Sequence, residues 1–308
     1  MKVAVMGAGS MGGYFGGMLA RAGHDVTLIA RGENLAAIRG DGLRMHTEAG
    51  DFTVPCSATD HPADVGPVDL ALLTTKTYHN VDAVPAMAPL IGSDTAVLSL
   101  QNGIDSYLPV VEQFPDAVML PGAAYIEASR LEPGVFQQAG RVVRVVTGGT
   151  RGSPPQHSQR AEQICAAFRD ADVEAEASDD IDLALWTKFL FIATMAGVTS
   201  LAREFLRDLL PRPEWRKIVR ACLEEIETAG RASGVNLAPD VVDRTFDYMD
   251  QSRGAMRASM HADLVAGRPL ELEALNGAVV RAGEAAGAPT PINDVIYAAL
   301  KPYVSGNP

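Results

Sequence analysis

The chain reads as an α/β protein in two parts, with a doubly wound parallel sheet over residues 1–178 followed by an all-α domain over 179–308. Three observations predict this. Residues 3–12 run V-A-V-M-G-A-G-S-M-G, a short apolar strand leading straight into Gly7, Gly9 and Gly12. Strand and helix signals then alternate through the first half, as in a sheet whose parallel strands are joined by helices. From residue 181 onward helical periodicity continues with almost no strand signal. A chain of 308 residues suits two domains, each able to bury its own core.

The opening strand is followed by a predicted helix over 11–22 and a second strand over 26–30, closing a βαβ unit of about 30 residues, the context that gives a G-x-G-x-x-G meaning. In such a Rossmann-type unit the first glycine makes a tight turn, the second lets backbone approach a pyrophosphate, and the third lets helix pack on strand. The helix would aim its N-terminal N–H groups and positive dipole end at the phosphates. Gly7, Gly9, Ser10, Met11 and Gly12 are therefore the candidate cofactor-binding loop. The pattern continues with a helix over 33–39, a hairpin across 43–54, strands over 68–74 and 96–100 with a helix over 81–90 between them, and a strand over 118–124. An antiparallel pair at the sheet edge is predicted for 134–147, then a loop over 148–157, a helix over 158–170 and a last strand over 173–177. Helices are predicted over 183–199, 214–233, 239–249, 256–266, 271–286 and 290–303, with Pro and Gly at the joints.

The end of the second strand bears on the cofactor. NAD sites usually place an acid there for the ribose 2′-hydroxyl, whereas NADP sites leave room and a positive charge for the 2′-phosphate. Here the strand ends in Arg31, which favours NADPH. Glu33, two residues on, keeps NADH as the alternative, since a shift of the loop would turn its carboxylate toward the ribose.

Composition narrows the function classes. Lys plus Arg number 26 against 38 Asp plus Glu, a formal net charge of −12, and such a surface repels nucleic acid and anionic membranes. An anionic cofactor must then be held by a local positive cluster. A strand at residue 3 leaves no room for a signal peptide, and the apolar stretch 189–198 is far shorter than the about 20 residues a bilayer requires, so the expected compartment is the cytoplasm. Cys56, Cys165 and Cys222 are widely spaced with no C-x-x-C, and read as buried free thiols. The histidines form no H-x-x-x-H, and no catalytic metal is indicated.

Three polar residues stand where reaction chemistry would. Lys76 follows L-A-L-L-T-T at a strand's carboxyl end, and Asn102 sits in Q-N-G at the end of the next, the edge where doubly wound folds bind ligands. Lys188 lies in L-W-T-K-F-L-F-I, so apolar a stretch that a charge there needs a partner or a purpose. The bland readings are loop surface for Lys76, a turn-former for Asn102 and a snorkelling side chain for Lys188.

In order along the chain, G-A-G-S-M-G, I-A-R-G, T-K-T-Y, L-Q-N-G, W-T-K, S-M-H-A-D and E-L-E-A-L-N-G resemble the ketopantoate reductase (2-dehydropantoate 2-reductase) family. The resemblance implies NADPH as hydride donor, a helical substrate domain after the dinucleotide fold, and reduction of a 2-oxo acid to a 2-hydroxy acid, first of all ketopantoate to pantoate. It implies Lys188 as general acid, Lys76 and Asn102 positioning nicotinamide and substrate, Ser259 holding the substrate carboxylate, and Glu271 supporting the catalytic geometry. The family usually carries two asparagines four and eight residues after the lysine, where this chain has Ile192 and Ala196. These positions predict a more apolar substrate pocket. Two other readings stay open, a D-2-hydroxy acid dehydrogenase using NADH on a more apolar acid and a dinucleotide-binding sensor without turnover. His261, two residues past Ser259, faces another side of its helix and reads as a surface or packing residue. The expected partner is a small 2-oxo acid, with no nucleic acid and no membrane, and the apolar stretches of the helical domain permit a homodimer.

Overall fold

The computed structural model describes residues 1–252, 254 and 258–306. The chain divides into two compact units, Met1–Gln101 with Tyr107–Ile181, and Asn102–Ser106 with Asp182–Pro308. The division by sequence at 178/179 differs from this by three residues and by the short segment Asn102–Ser106, which belongs to the second unit.

The first unit contains β1 (Lys2–Met6), α1 (Ser10–Arg21), β2 (Asp25–Ile29), α2 (Gly32–Asp41), β3 (Leu43–His46), β4 (Phe52–Val54), β5 (Ser57–Thr59), β6 (Leu70–Leu73), α3 (Asn80–Ala86), β7 (Ala96–Ser99), α4 (Leu108–Gln113), β8 (Val118–Glu132), β9 (Val135–Thr147), α5 (Pro155–Asp170) and β10 (Glu174–Ala177). Its parallel strands lie in the order β5-β2-β1-β6-β7-β8. The order reverses direction between β1 and β6, the switch point at which doubly wound sheets take their ligands. β6 is buried along its whole length because helices cover both faces. On β1, Val3 and Val5 join Phe15, Leu19 and Phe168 from α1 and α5. Ala4 and Met6 point the other way, to Val84 and Val110 of α3 and α4.

The far side of the sheet differs from the expected edge pair. Residues 135–147 form one strand, and its antiparallel partner is the continuation of β8 past Ala124, paired from Gly122↔Thr147 to Glu132↔Val135 with register shifts at Tyr125/Glu127 and Arg130/Glu132. The extension Y-I-E-A-S-R-L-E mixes polar with apolar residues and is mostly exposed, so it carries no continuous apolar strand signal. Gly134, at φ +73°, turns the chain between the two strands. β9 is not an edge, since β3 joins it in parallel at Arg44↔Val135 and β10 at Glu174↔Arg144.

The second unit holds α6 (Ile181–Ala202), α7 (Leu206–Leu209), α8 (Pro213–Ala232), α9 (Val241–Ser252), α10 (Ser259–Val265), α11 (Asn276–Ala286) and α12 (Pro291–Leu300). The helix predicted over 256–266 starts at Met256, which lies outside the described residues, and is seen here from Ser259. The helix predicted from residue 271 begins at Asn276, because residues 272–275 form a turn closed by bonds from Leu275 N to Glu271 O and Leu272 O. α6 is also longer than its uninterrupted apolar stretch. Among the described residues it is the helix long and apolar enough to cross a membrane by length and composition, yet 61% of its most apolar window is buried within the protein. Phe189, Leu190, Ala193 and Val198 of α6 pack with Leu223, Ile226, Val279 and Ile296 of α8, α11 and α12, which makes it a core helix. Gly197 leaves room there for the buried Asn276, whose amide nitrogen would stand 2.6 Å from any Cβ at that position. Cys165 and Cys222 are buried and Cys56 is half-buried, all as free thiols. Burial pushes the Cys56 and Cys222 thiols up to about 12, so they stay protonated and unreactive.

Candidate active site

In the first unit the three glycines of the opening loop have separate physical roles. Gly7 sits at φ +106°, and a Cβ there would lie 2.7 Å from the Thr75 side chain. At Gly12 a Cβ would fall 2.0 Å from the carbonyl oxygen of Gly7, so only glycine lets α1 pack onto the loop. At Gly9 a Cβ would meet no protein atom within 4 Å. The absence of a side chain at Gly9 therefore leaves open space beside the first turn of α1, a cradle that a Cβ would fill. Among the described residues no side chain caps α1, and its first turn holds no acid, so the dipole end beside Ser10 and Met11 is left for an anion.

Residues without a prominent sequence signal hold this loop in shape. Asn34, buried in α2, donates to Ala8 O at 2.8 Å and accepts from Gly134 N at 2.9 Å. Thr74 donates its hydroxyl to Gly7 O at 2.8 Å, tying the end of β6 to the glycine turn. Gln101, just past β7, donates to Thr75 O at 2.8 Å and exchanges amide hydrogen bonds with Asn80 at 2.6 and 3.1 Å. Gln101 stands in the Q-N-G motif beside Asn102, whereas Asn34 and Asn80 stand in no motif that marks them out. Lys76 is half-buried between β6 and the short helix at Thr77–His79. Arg31 precedes α2 in extended backbone and is exposed, with Glu33 exposed in the first turn of the same helix.

The second unit brings together Asn102, Lys188 and Glu271. Lys188 extends from α6 between the buried Trp186 and Phe189, and its Nζ donates to Asn102 Oδ1 at 3.1 Å. Glu271 is only 4% exposed, a carboxylate withdrawn from water in the turn before α11. Desolvation lowers the Lys188 ammonium from its ordinary range to about 8, and the Glu271 charge works in the opposite direction. The lysine can thus carry a proton at neutral pH and release it readily, the property a general acid needs.

The remaining predicted residues are placed less uniformly. Ile192 and Ala196 follow Lys188 at four-residue steps, on the same face of α6, with Ile192 half-buried and Ala196 buried. Ser259 is exposed at the first residue of α10. His261 is buried edge-on against Phe205 with ring centroids 5.2 Å apart, a packing role, and burial lowers its pKa. Among the described residues no group of three or more His, Cys, Asp or Glu could hold a metal ion.

Comparison with known proteins adds to this geometry. The family model described as ketopantoate reductase PanE/ApbA matches residues 3–151, and its C-terminal counterpart matches residues 180–304. The chain is 31% identical over 283 residues to a 2-dehydropantoate 2-reductase of Halobacterium salinarum, covering 91% of each chain. It is similar to a 2-dehydropantoate 2-reductase structure from Geobacter metallireducens at TM-score 0.90 and 30% identity, over 98% of this chain and 99% of that one. It is also similar to a D-mandelate dehydrogenase solved with NADH and anilino(oxo)acetate, at TM-score 0.88 and 25% identity, over 99% and 98% of the two chains.

Proposed function

The chain belongs to the ketopantoate reductase family of oxidoreductases, and we propose that it reduces a 2-oxo acid to the 2-hydroxy acid with NADPH, using Lys188 as general acid. The observation that carries this reading is the lysine with its proton affinity lowered to about 8, hydrogen-bonded to Asn102 and acted on by the buried Glu271. The dinucleotide fits the cradle at Gly9. Gly7, Gly9, Ser10, Met11 and Gly12 would hold its pyrophosphate, with Lys76 and Asn102 toward the nicotinamide and substrate. NADPH bound there supplies the hydride. Lys188 stabilises the negative charge that grows on the keto oxygen and hands it a proton from Nζ. Asn102 fixes the direction of the ammonium, and Glu271 keeps it charged in an apolar setting. Ser259 is the proposed contact for the substrate carboxylate.

Arg31 carries the preference for NADPH. Replacing it with Ala is expected to weaken NADPH binding by roughly 1.5 to 3 kcal/mol, the scale of a hydrogen bond to a charged group, with NADH binding little changed. Titration of the protein with each cofactor checks this, and equal losses for both would remove the 2′-phosphate assignment.

The substrate side chain is proposed to be more apolar than that of ketopantoate. Ile192 and Ala196 stand on the Lys188 face of α6 and offer no hydrogen bond to a hydroxyl, so a hydroxylated acid would leave its polar group unpaired, at about 1 to 3 kcal/mol. Similarity to the D-mandelate dehydrogenase favours the same direction and supports a second reading, a D-2-hydroxy acid dehydrogenase acting on a branched or aromatic acid. Steady-state assays of NADPH and NADH oxidation against a panel of 2-oxo acids separate the two. Wild type is expected to prefer an apolar acid, and Ile192→Asn to move the preference toward ketopantoate. Because Ile192 is half-buried, that change tests specificity with less strain than one at the buried Ala196. Ketopantoate proving the best wild-type substrate by tenfold, about 1.4 kcal/mol, would overturn the apolar pocket.

A further inference from the structure

Residues 102–106 leave the first unit for five positions and pack with the helical one. Ile104 packs against the helical core. Gly103, at φ +110°, passes so close to the turn before α11 that a Cβ would stand 2.7 Å from Ala274 O. Asp105 Oδ2 receives Arg281 Nη2 of α11 at 2.7 Å. The same guanidinium donates to Glu273 O at 2.9 Å, and Glu273 is held in turn by Tyr297 and Lys301 of the last helical turns. Arg281 therefore grips both Asp105 in the segment that carries Asn102 and Glu273 in the turn that carries Glu271.

We propose that Arg281 and Asp105 are positioning residues, an ion pair that fixes Asn102 on Lys188 and sets the turn of Glu271 beside them. The proposal rests on the reading of Lys188 as the proton donor. Its mechanism is geometric. Asn102 Oδ1 accepts from the charged ammonium, so an Asn102 set loose would leave Lys188 with less support for its proton, and Glu271 is the charged group that acts on it from the neighbouring turn. Both partners are half-exposed, with side-chain exposures of 48% and 30%, so their loss should perturb the site without unfolding it.

The test compares Arg281→Met, Arg281→Lys, Asp105→Asn and the Arg281→Met/Asp105→Asn double variant with wild type. Both single charge removals are expected to lower kcat by about threefold to fivefold, the worth of a partly exposed ion pair, with KM for NADPH within twofold. The double variant is expected to be no worse than Arg281→Met, and Arg281→Lys to keep most of the activity. In the cofactor-free protein the Lys188 amine, followed by NMR, is expected to titrate at lower pH in Arg281→Met and Asp105→Asn than in wild type. A purely structural role would lower the melting temperature without moving that titration. Additive losses, or an unmoved titration with kcat within 1.5-fold, overturn the positioning role. Turnover of Lys188→Ala within threefold of wild type overturns the underlying reading, and the proposal with it. A crippled Lys188→Ala beside unaffected Arg281→Met and Asp105→Asn enzymes overturns the positioning role alone.

Discussion

Lys188→Ala is expected to lower turnover by about 10² or more while NADPH affinity stays within threefold of wild type. Charge on the keto oxygen develops during hydride arrival, so the ammonium interaction is stronger in the transition state than with bound substrate, and its loss falls on kcat. Lys188→Arg should restore little, because a guanidinium keeps the charge but does not release a proton near neutral pH. The pH dependence follows from the lowered proton affinity. Reduction needs the ammonium, so turnover should hold below about pH 8 and fall as pH rises through that value. Oxidation of the hydroxy acid needs the neutral amine, and its rate should rise through the same range. Both limbs should vanish in Lys188→Ala. A variant with turnover within threefold of wild type, or with an unchanged profile, would move the proton donor elsewhere, first to Lys76.

How far the sequence discloses this molecule depends on whether a residue's job is local. The glycine loop is readable because strand, turn and helix are neighbours in the chain: Gly12 answers to the Gly7 carbonyl five residues before it, although the contact of Gly7 with Thr75 is long-range. Lys188 was conspicuous because a cation among Trp186, Phe189 and Leu190 violates the apolar pattern around it. The extended β8 is hidden for the opposite reason, since its outer half mixes polar with apolar residues, is mostly exposed and is fixed by its pairing with β9. Glu271 looked like the start of a helix, and nothing local announces that Leu275 closes a turn there instead. Nor does spacing disclose that residues 102–106 pack with helices beginning some eighty residues later, the fact on which the Asn102–Lys188 bond depends. Long-range partners such as Asn34 with Gly134, a hundred positions apart, are in the same class.

Gly12→Ala and Gly9→Ala should fail in different ways, and the difference bears directly on whether the loop is a cofactor cradle. At Gly12 the added Cβ would stand 2.0 Å from the Gly7 carbonyl and 2.5 Å from Thr74 Oγ1. The first neighbour is backbone and cannot swing aside, so α1 must lift from β1 or the turn must open. Overpacking of this kind costs about 3 kcal/mol, the upper part of its usual range, which for a domain the size of the first unit lowers the melting temperature by about 6 to 12 °C. At Gly9 the backbone is already in a region that alanine adopts, at φ −81° and ψ −165°, and the Cβ would touch no protein atom. The cofactor-free Gly9→Ala protein should therefore melt within about 2 °C of wild type, after the small loss of a favourable helix-capping residue. Its NADPH affinity should nevertheless fall by about tenfold or more, because a methyl group would occupy the space through which the pyrophosphate reaches the N–H groups of α1. Thermal melts without cofactor and binding titrations with it measure the two effects separately. A Gly9→Ala protein that binds NADPH as tightly as wild type would place the phosphates somewhere other than this loop.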